Sequence, residues 1–380
     1  MPMHNGWLPR EGFYIDVILR LIGKTALNPV LLAPLVLAAK FSKQGEDMSM
    51  LHPLAFSRIK TLFYLGLARY LSGKLSEGVV NNFTADKYDW PNEIAVVTGG
   101  AGGIGGHVVR FLAEKRVKVV VLDIQAMTFA LPAGCHYYKV DLTNRQNVAD
   151  VAEKVRAEVG NPTIIVNNAG VARGKTILET SERDLKFTFD VNCFAHFYMV
   201  QEFLPFMIKR NHGMIVTVAS FAAWLCVPNM VDYGGSKAAA MAFHEGLTSE
   251  LTTRYNAPAV RTVIVNQAYT KTPLFQGYHT DSAFVMPPLE PETVAEAIVR
   301  QILTGRSGQV IAPDMGHAVQ GLRGMPWWYQ YKLREKCENL MTNWSGRQVV
   351  KDVEGHYEGR DKKPQTESST DGSTVLVGRP

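Results

Sequence analysis

The sequence predicts an α/β protein: one doubly wound domain on a seven-stranded parallel sheet, preceded by a hydrophobic helical extension. Three observations carry that expectation. Past Glu93, short β-branched runs alternate with helix-length segments, as strands buried on both faces do. The first run passes straight into the glycine cluster TGGAGGIGG at 98–106, a strand-to-helix turn. The residues before 90 follow another pattern, with long apolar stretches and no alternation.

The extension, residues 1–90, opens with FYIDVILRLIGK at 13–24. Asp16, Arg20 and Lys24 share one helical face there, with Phe13, Ile15, Ile18, Leu21 and Ile22 around the other. From Thr25 to Ala39 there is no charge, and Pro29 and Pro34 interrupt the run. That is short of the roughly 20 apolar residues a straight spanning helix needs. A second apolar stretch, LFYLGLARYL at 62–71, follows Arg58 and Lys60. The extension therefore reads as an interfacial or hairpin membrane anchor, with a helical subdomain packed on the core as the alternative. It lacks the basic start and the cleavage site of a signal peptide.

The domain proper is expected over 91–315. Its strands are IAVVT (94–98), VKVVVL (117–122), YYKV (137–140), TIIV (163–166), MIVTV (214–218), VRTVIV (260–265) and QVIA (309–312). Helix-length segments between them allow right-handed crossovers. Residues 316–350 hold an aromatic and basic helical segment with Trp327, Trp328, Tyr329, Tyr331 and Trp344. It reads as a second membrane contact or as a helix over the pocket. Residues 351–380 are polar, without periodicity, and are expected to be a disordered tail.

Composition narrows the function. With 46% hydrophobic and 20% charged residues the chain is globular. Its 40 basic and 35 acidic side chains are dispersed, which leaves no basic block for nucleic acid. The four cysteines are far apart and never paired as C-x-x-C, so neither a disulfide framework nor a metal site is expected.

The glycine cluster fits two registers, Gly100, Gly102 and Gly105 or Gly99, Gly103 and Gly105. Either lets backbone amides at a helix start approach a diphosphate. Asp123 ends the second strand about 20 residues on, placed to accept both ribose hydroxyls of an adenosine and to repel a 2′-phosphate. Ile124 and Gln125 offer no cation for that phosphate, so NAD(H) is favoured, with NADP(H) as the alternative. Asp141 ends the third strand, and Asn167, Asn168, Ala169 and Gly170 end the fourth. Together these delineate the ligand edge of a Rossmann-type sheet.

Tyr233 and Lys237 stand four apart in VDYGGSKAAAMAF, and residues at i and i+4 share one helix face. A phenol with an ordinary pKa near 10 is a poor base at neutrality. A neighbouring ammonium and an oxidised nicotinamide would both favour phenolate, and lowering the phenol pKa to about 8 requires roughly 3 kcal/mol. Ser220 ends the fifth strand thirteen positions earlier, where its hydroxyl can orient a substrate oxygen.

These motifs, T-G-x-x-x-G-I-G at 98–105, N-N-A-G at 167–170, Ser220 and Y-x-x-x-K at 233–237, resemble the short-chain dehydrogenase/reductase superfamily in order and spacing, over roughly 93–312. The leader also resembles that of the membrane-bound retinol and hydroxysteroid dehydrogenases of the endoplasmic reticulum and lipid droplets, with the catalytic domain in the cytosol. The resemblance implies that Tyr233 exchanges the hydroxyl proton while hydride moves to or from the nicotinamide. It implies that Lys237 holds the ribose, that Asn192 supports a water chain from Lys237, and that Ile104 and Thr272 join the cofactor site. It also implies a homo-oligomer. One departure stands out: Gln267 and Ala268 replace the Pro-Gly that usually follows the sixth strand, which leaves the loop path open.

The segment 273–288 holds the place of the substrate lid and carries Leu274, Phe275, Tyr278, Phe284, Val285 and Met286. An apolar lid suits an apolar substrate. The expected function is interconversion of a lipophilic alcohol with its ketone or aldehyde: a retinoid, steroid, long-chain or polyketide-like compound. The rivals are an NADPH-dependent carbonyl reductase of a biosynthetic intermediate and a non-catalytic membrane protein that keeps the fold.

Overall fold

A computed structural model describes residues 3–361 of the chain. The extension contains α1 (Ile15–Lys24), α2 (Pro29–Phe41), α3 (Lys43–Leu51) and α4 (Pro53–Val80). The domain then runs β1 (Ile94–Thr98), α5 (Gly103–Glu114), β2 (Lys118–Asp123), β3 (Cys135–Lys139), α6 (Arg145–Glu158), β4 (Ile164–Asn167), α7 (Glu182–Phe189), α8 (Ala195–Arg210), β5 (Met214–Val218), α9 (Val231–Thr253), β6 (Arg261–Gln267), α10 (Pro291–Leu303) and β7 (Gly308–Ala312). The chain closes with α11 (Gly316–Gln320), α12 (Trp327–Lys336) and α13 (Val353–Asp361).

The strands form one seven-stranded sheet in the order β3-β2-β1-β4-β5-β6-β7, and every neighbouring pair is parallel. The central strands are valine- and isoleucine-rich and buried throughout, because helices cover both faces. On one face Val108, Phe111 and Leu112 of α5 pack with Val294, Ile298 and Ile302 of α10. On the other, α6 contributes Val148, Val151 and Val155, α8 Met199 and Phe203, and α9 Leu247 and Leu251. The chain reverses direction across the sheet between β1 and β4, and a crevice opens beyond the carboxyl ends of those two strands.

The extension departs from expectation in one respect. Asp16, assigned to the solvent face of α1, is buried at 3% exposure. Its carboxylate accepts the backbone N–H groups of Asp314 (2.6 Å) and Met315 (3.0 Å) just before α11. Those otherwise unpaired amides draw the carboxylate inward, and Leu19, Leu21 and Ile22 face outward instead. Pro29 begins α2 rather than breaking a helix, and the Asn28 side chain caps that start by accepting Val30 N–H at 3.0 Å. The stretch Ile15–Phe41 is apolar enough to cross a membrane, and none of its most apolar window is buried. It is divided by Thr25–Asn28 into helices of 10 and 13 residues, each shorter than a span. Along the 28 residues of α4 only Gly66 is buried, where the chain passes under the Leu27 carbonyl.

Two clasps join the extension to the sheet. Buried Arg261 donates to the carbonyls of Asn81 (3.0 Å) and Thr84 (2.8 Å). His212 sits between Asp86 (2.8 Å) and Glu93 (3.3 Å). At the other end of the chain, part of the expected disordered tail folds. In α13, Val353 and Tyr357 are buried, and Tyr357 donates to Asp190 at 2.6 Å. The remainder of that tail lies outside the described residues.

Candidate active site

The glycine turn takes the second of its two registers. Gly99 and Gly103 adopt φ of +64° and +54°, the left-handed region that glycine enters freely. At Gly105 a methyl group would collide with the Gly99 carbonyl oxygen. Around Gly103 the nearest atom to such a methyl is Thr272 Cγ2 at 3.7 Å, so the cradle stands open at the start of α5. No side chain caps that start, which leaves its first amides directed at the crevice. This is the donor arrangement a diphosphate requires.

Asn168 and Ala169 hold the turn in place. Thr98 Oγ1 accepts both of their backbone N–H groups (3.0 and 3.1 Å), and Asn168 Nδ2 donates to the carbonyls of Thr98 (3.0 Å) and Gly99 (3.2 Å). Asp123 is buried beside the turn, accepting Ala101 N–H at 3.0 Å and Gln125 N–H at 2.9 Å. Those bonds orient the carboxylate and leave lone pairs for hydroxyl donors. Asp141 accepts Thr143 N–H (3.0 Å) and Oγ1–H (2.7 Å), and His356 of α13 approaches it at 3.2 Å. Ile104, Asp123, Asp141, Gly170 and Thr272 all line one cavity of about 890 Å³.

Tyr233 and Lys237 lie together in that cavity on α9, each almost fully buried, with Lys237 Nζ 5.8 Å from the phenol ring centre. Gly234, between them, lets α9 pack close to Cys226. Lys237 Nζ donates to the Val218 carbonyl at 2.9 Å, and burial pushes its pKa down to about 8. Burial pushes the Tyr233 phenol up to about 12, against the opposite pull of a hydrogen bond with Ser220. In the protein alone the phenol is neutral at neutral pH, because desolvation of phenolate outweighs the pull of Ser220.

Ser220 has two roles. Its hydroxyl accepts Ala222 N–H at 3.2 Å, capping the turn after β5, and it also reaches Tyr233. Asn192 lies in a π-helical turn, Asp190–Phe194, between α7 and α8. Fully buried, it donates to the Val171 carbonyl and to Ser236 Oγ (2.9 Å each) and accepts Val171 N–H at 2.8 Å. Its Oδ1 and Lys237 Nζ border the same open space above Gly170. The Gln267–Thr272 loop has a defined path: Thr270 bridges to Leu289, Lys271 N–H donates to the Leu289 carbonyl, and Leu289 N–H donates back to Tyr269. Thr272 thereby faces Gly103.

Beyond Tyr233 the cavity turns apolar. Phe275 meets the Tyr233 ring edge-on at 5.3 Å, Tyr278 stacks on Tyr269 at 3.8 Å, and Leu274, Met230 and Met286 complete the wall. The N-terminal arm reaches this lid: Ile15 N–H donates to the Phe284 carbonyl at 3.0 Å, and Phe13 lies against the Phe284 ring. Sequence reading missed Arg173, which is buried against Asp184 at 2.6 Å, and the C-terminal residues Arg347, His356 and Tyr357. One local signal for α13 was present, an Asp352 helix cap followed by Val353 and Tyr357 four apart. Among the described residues no group of three His, Cys, Asp or Glu side chains could hold a metal ion.

Comparison with known proteins agrees with this geometry. Residues 93–283 match the short chain dehydrogenase family model. Dehydrogenase RED2 of Cochliobolus heterostrophus is 45% identical over 208 residues, covering 54% of this chain and 78% of that protein. Estradiol 17-beta-dehydrogenase 11 of Homo sapiens is 38% identical over 224 residues (56% and 72% covered), and Short-chain dehydrogenase/reductase 3 of Homo sapiens is 34% identical over 265 (67% and 86%). Among solved structures, a short chain dehydrogenase from Burkholderia cenocepacia J2315 in complex with NADP has a TM-score of 0.56 at 24% identity, covering 65% of this chain and 99% of that one. For 4-hydroxyisoleucine dehydrogenase complexed with NADH the values are 0.52, 21%, 58% and 96%. These structural likenesses show the shared fold. A glycine cradle, a buried tyrosine and lysine on one helix and a family match across half the sequence agree: the chain belongs to the short-chain dehydrogenase family.

Proposed function

We propose that this protein interconverts a lipophilic secondary or allylic alcohol with its carbonyl compound at a membrane surface, with NAD(H) as the preferred dinucleotide. The observation that carries the reading is the apolar half of the cavity, which begins at the Tyr233 ring and is closed by Leu274, Phe275, Tyr278 and Met286. A bound nicotinamide dinucleotide supplies the hydride acceptor or donor. The chain's own residues do the rest. Ser220, hydrogen-bonded to Tyr233, positions the substrate oxygen, and Tyr233 transfers the proton at its phenol oxygen. Lys237 places a charge beside that oxygen below pH 8, and Asn192 fixes the floor through Val171 and Ser236. Asp123, followed by Ile124 and Gln125 in the cavity wall, favours two ribose hydroxyls over a 2′-phosphate.

The outward-facing Leu19, Leu21 and Ile22 of α1, and α2 without a buried residue, support a membrane-surface location. The endoplasmic reticulum or lipid droplets, with the catalytic domain in the cytosol, are the proposed site. The test is a panel of apolar alcohols and ketones assayed in detergent with each dinucleotide, in the wild type and Tyr233→Phe. Turnover with NAD(H) that falls about 10²–10⁴-fold in the variant is expected. Turnover with NADP(H) alone would overturn the cofactor assignment, and unchanged turnover in the variant would overturn the chemistry.

A further inference from the structure

The segment from Trp344 to α13 runs along the cavity from the lid to Asp141 and is anchored at several points. Trp344 Nε1 donates to the Leu274 carbonyl (3.0 Å), Ser345 N–H to Gln276 (2.9 Å) and Arg347 N–H to Pro273 (2.6 Å). Arg173 donates to the Val350 carbonyl at 3.0 Å, Tyr357 to Asp190 at 2.6 Å, and His356 meets Asp141 at 3.2 Å beside the Phe187 ring. The first anchors sit at the lid side of the cleft and the last at Asp141 on the far side, so the strap follows the long axis of the site.

Arg347, Gln348, Val349 and Val350 form part of the cavity wall. The Arg347 backbone is bonded to Pro273, next in sequence to Thr272, which faces the Gly103 cradle. Among the described residues no acceptor pairs with the Arg347 guanidinium. The other cations of the wall are engaged or elsewhere: Lys237 is bonded to Val218, Arg173 is paired with Asp184, and Lys336 belongs to α12. The cradle otherwise offers a doubly charged diphosphate only backbone amides, in a cavity that also holds Asp123 and Asp141.

We infer that the C-terminal strap is part of the dinucleotide site, with Arg347 supplying the cation that faces the diphosphate and the His356–Asp141 contact closing the adenosine end. The inference rests on the dinucleotide reading given above. Arginine suits the role because its planar fork donates two parallel bonds to phosphate oxygens.

The test is direct binding by the full-length protein, read by calorimetry with NADH, ADP and adenosine for the wild type, Arg347→Gln and Arg347→Lys. Arg347 is exposed, so both variants should fold, and circular dichroism checks this. The expected result is at least a 10-fold weaker Kd for NADH and ADP in Arg347→Gln, partial recovery in Arg347→Lys, and no change for adenosine. Equal NADH affinity in wild type and Arg347→Gln would overturn the strap's role and leave the family reading intact. Failure of the wild type to bind NADH would overturn both.

Discussion

Replacing Lys237 with methionine isolates the contribution of charge to the Tyr233 proton transfer. The ammonium lies 5.8 Å from the phenol ring centre, and both side chains are nearly fully buried. At that separation and an effective dielectric constant near 20, a phenolate is favoured by about 3 kcal/mol, equivalent to about a 100-fold change in the phenol's acidity. Where the rate follows the phenolate fraction, Lys237→Met lowers alcohol oxidation about 100-fold. The loss depends on pH in a specific way. Burial holds the Lys237 pKa at about 8, so the ammonium is present below that pH and is lost above it. The assay is initial-rate oxidation of an apolar secondary alcohol at saturating dinucleotide between about pH 6 and 10, on either side of that value, with circular dichroism as a fold control. The ratio of wild-type to variant rate should be largest below pH 8 and shrink above it. A ratio that stays flat across this range would refute the electrostatic role and leave Lys237 as a holder of the cofactor ribose.

The other predictions concern the scaffold. Gly105→Ala should destabilise the protein by about 2 kcal/mol or more in urea unfolding, since the new methyl meets the Gly99 carbonyl rather than a flexible side chain; an unchanged midpoint would mean that the turn is looser than described. His212 has a raised pKa, chiefly through its hydrogen bond to Glu93, so its ionic contribution is full below its unfolded value and is lost as pH rises through the raised one. His212→Gln should therefore cost about 1 kcal/mol at about pH 6 and progressively less toward about pH 9, and a pH-independent difference would remove the ionic account. Changing Leu31, Leu35 and Leu37 of α2 to glutamine touches no buried residue and should shift the protein from the membrane to the soluble fraction. Unchanged membrane recovery would exclude α2 as the membrane contact.

Most of the sheet could be read from the sequence because its central strands are buried on both faces and appear as unbroken β-branched runs. The edge strand β3 was harder. It starts at Cys135, two residues before the expected YYKV, because half-exposed positions impose no apolar pattern. Asp123 and Ser220 at or just after strand ends and Tyr233 and Lys237 on α9 line one cavity, because the backbone alone sets their positions. Residues whose role depends on distant partners were not legible. Asp16 turns inward only because Asp314 and Met315 present free amides 298 and 299 residues later. Polar α13 folds only against Asp141, Asp190 and Phe187. Desolvation of Tyr233 is likewise a property of the packed cleft and has no counterpart in a local motif.

The join between the N-terminal arm and the lid bears on how this enzyme should be purified. Trimming the greasy leader to gain solubility would leave the Asp314 and Met315 amides without their acceptor and release the Phe284 carbonyl from Ile15. Kinetic constants measured on such a fragment would describe a lid that has lost its Ile15 anchor, so substrate ranking belongs to the uncut polypeptide.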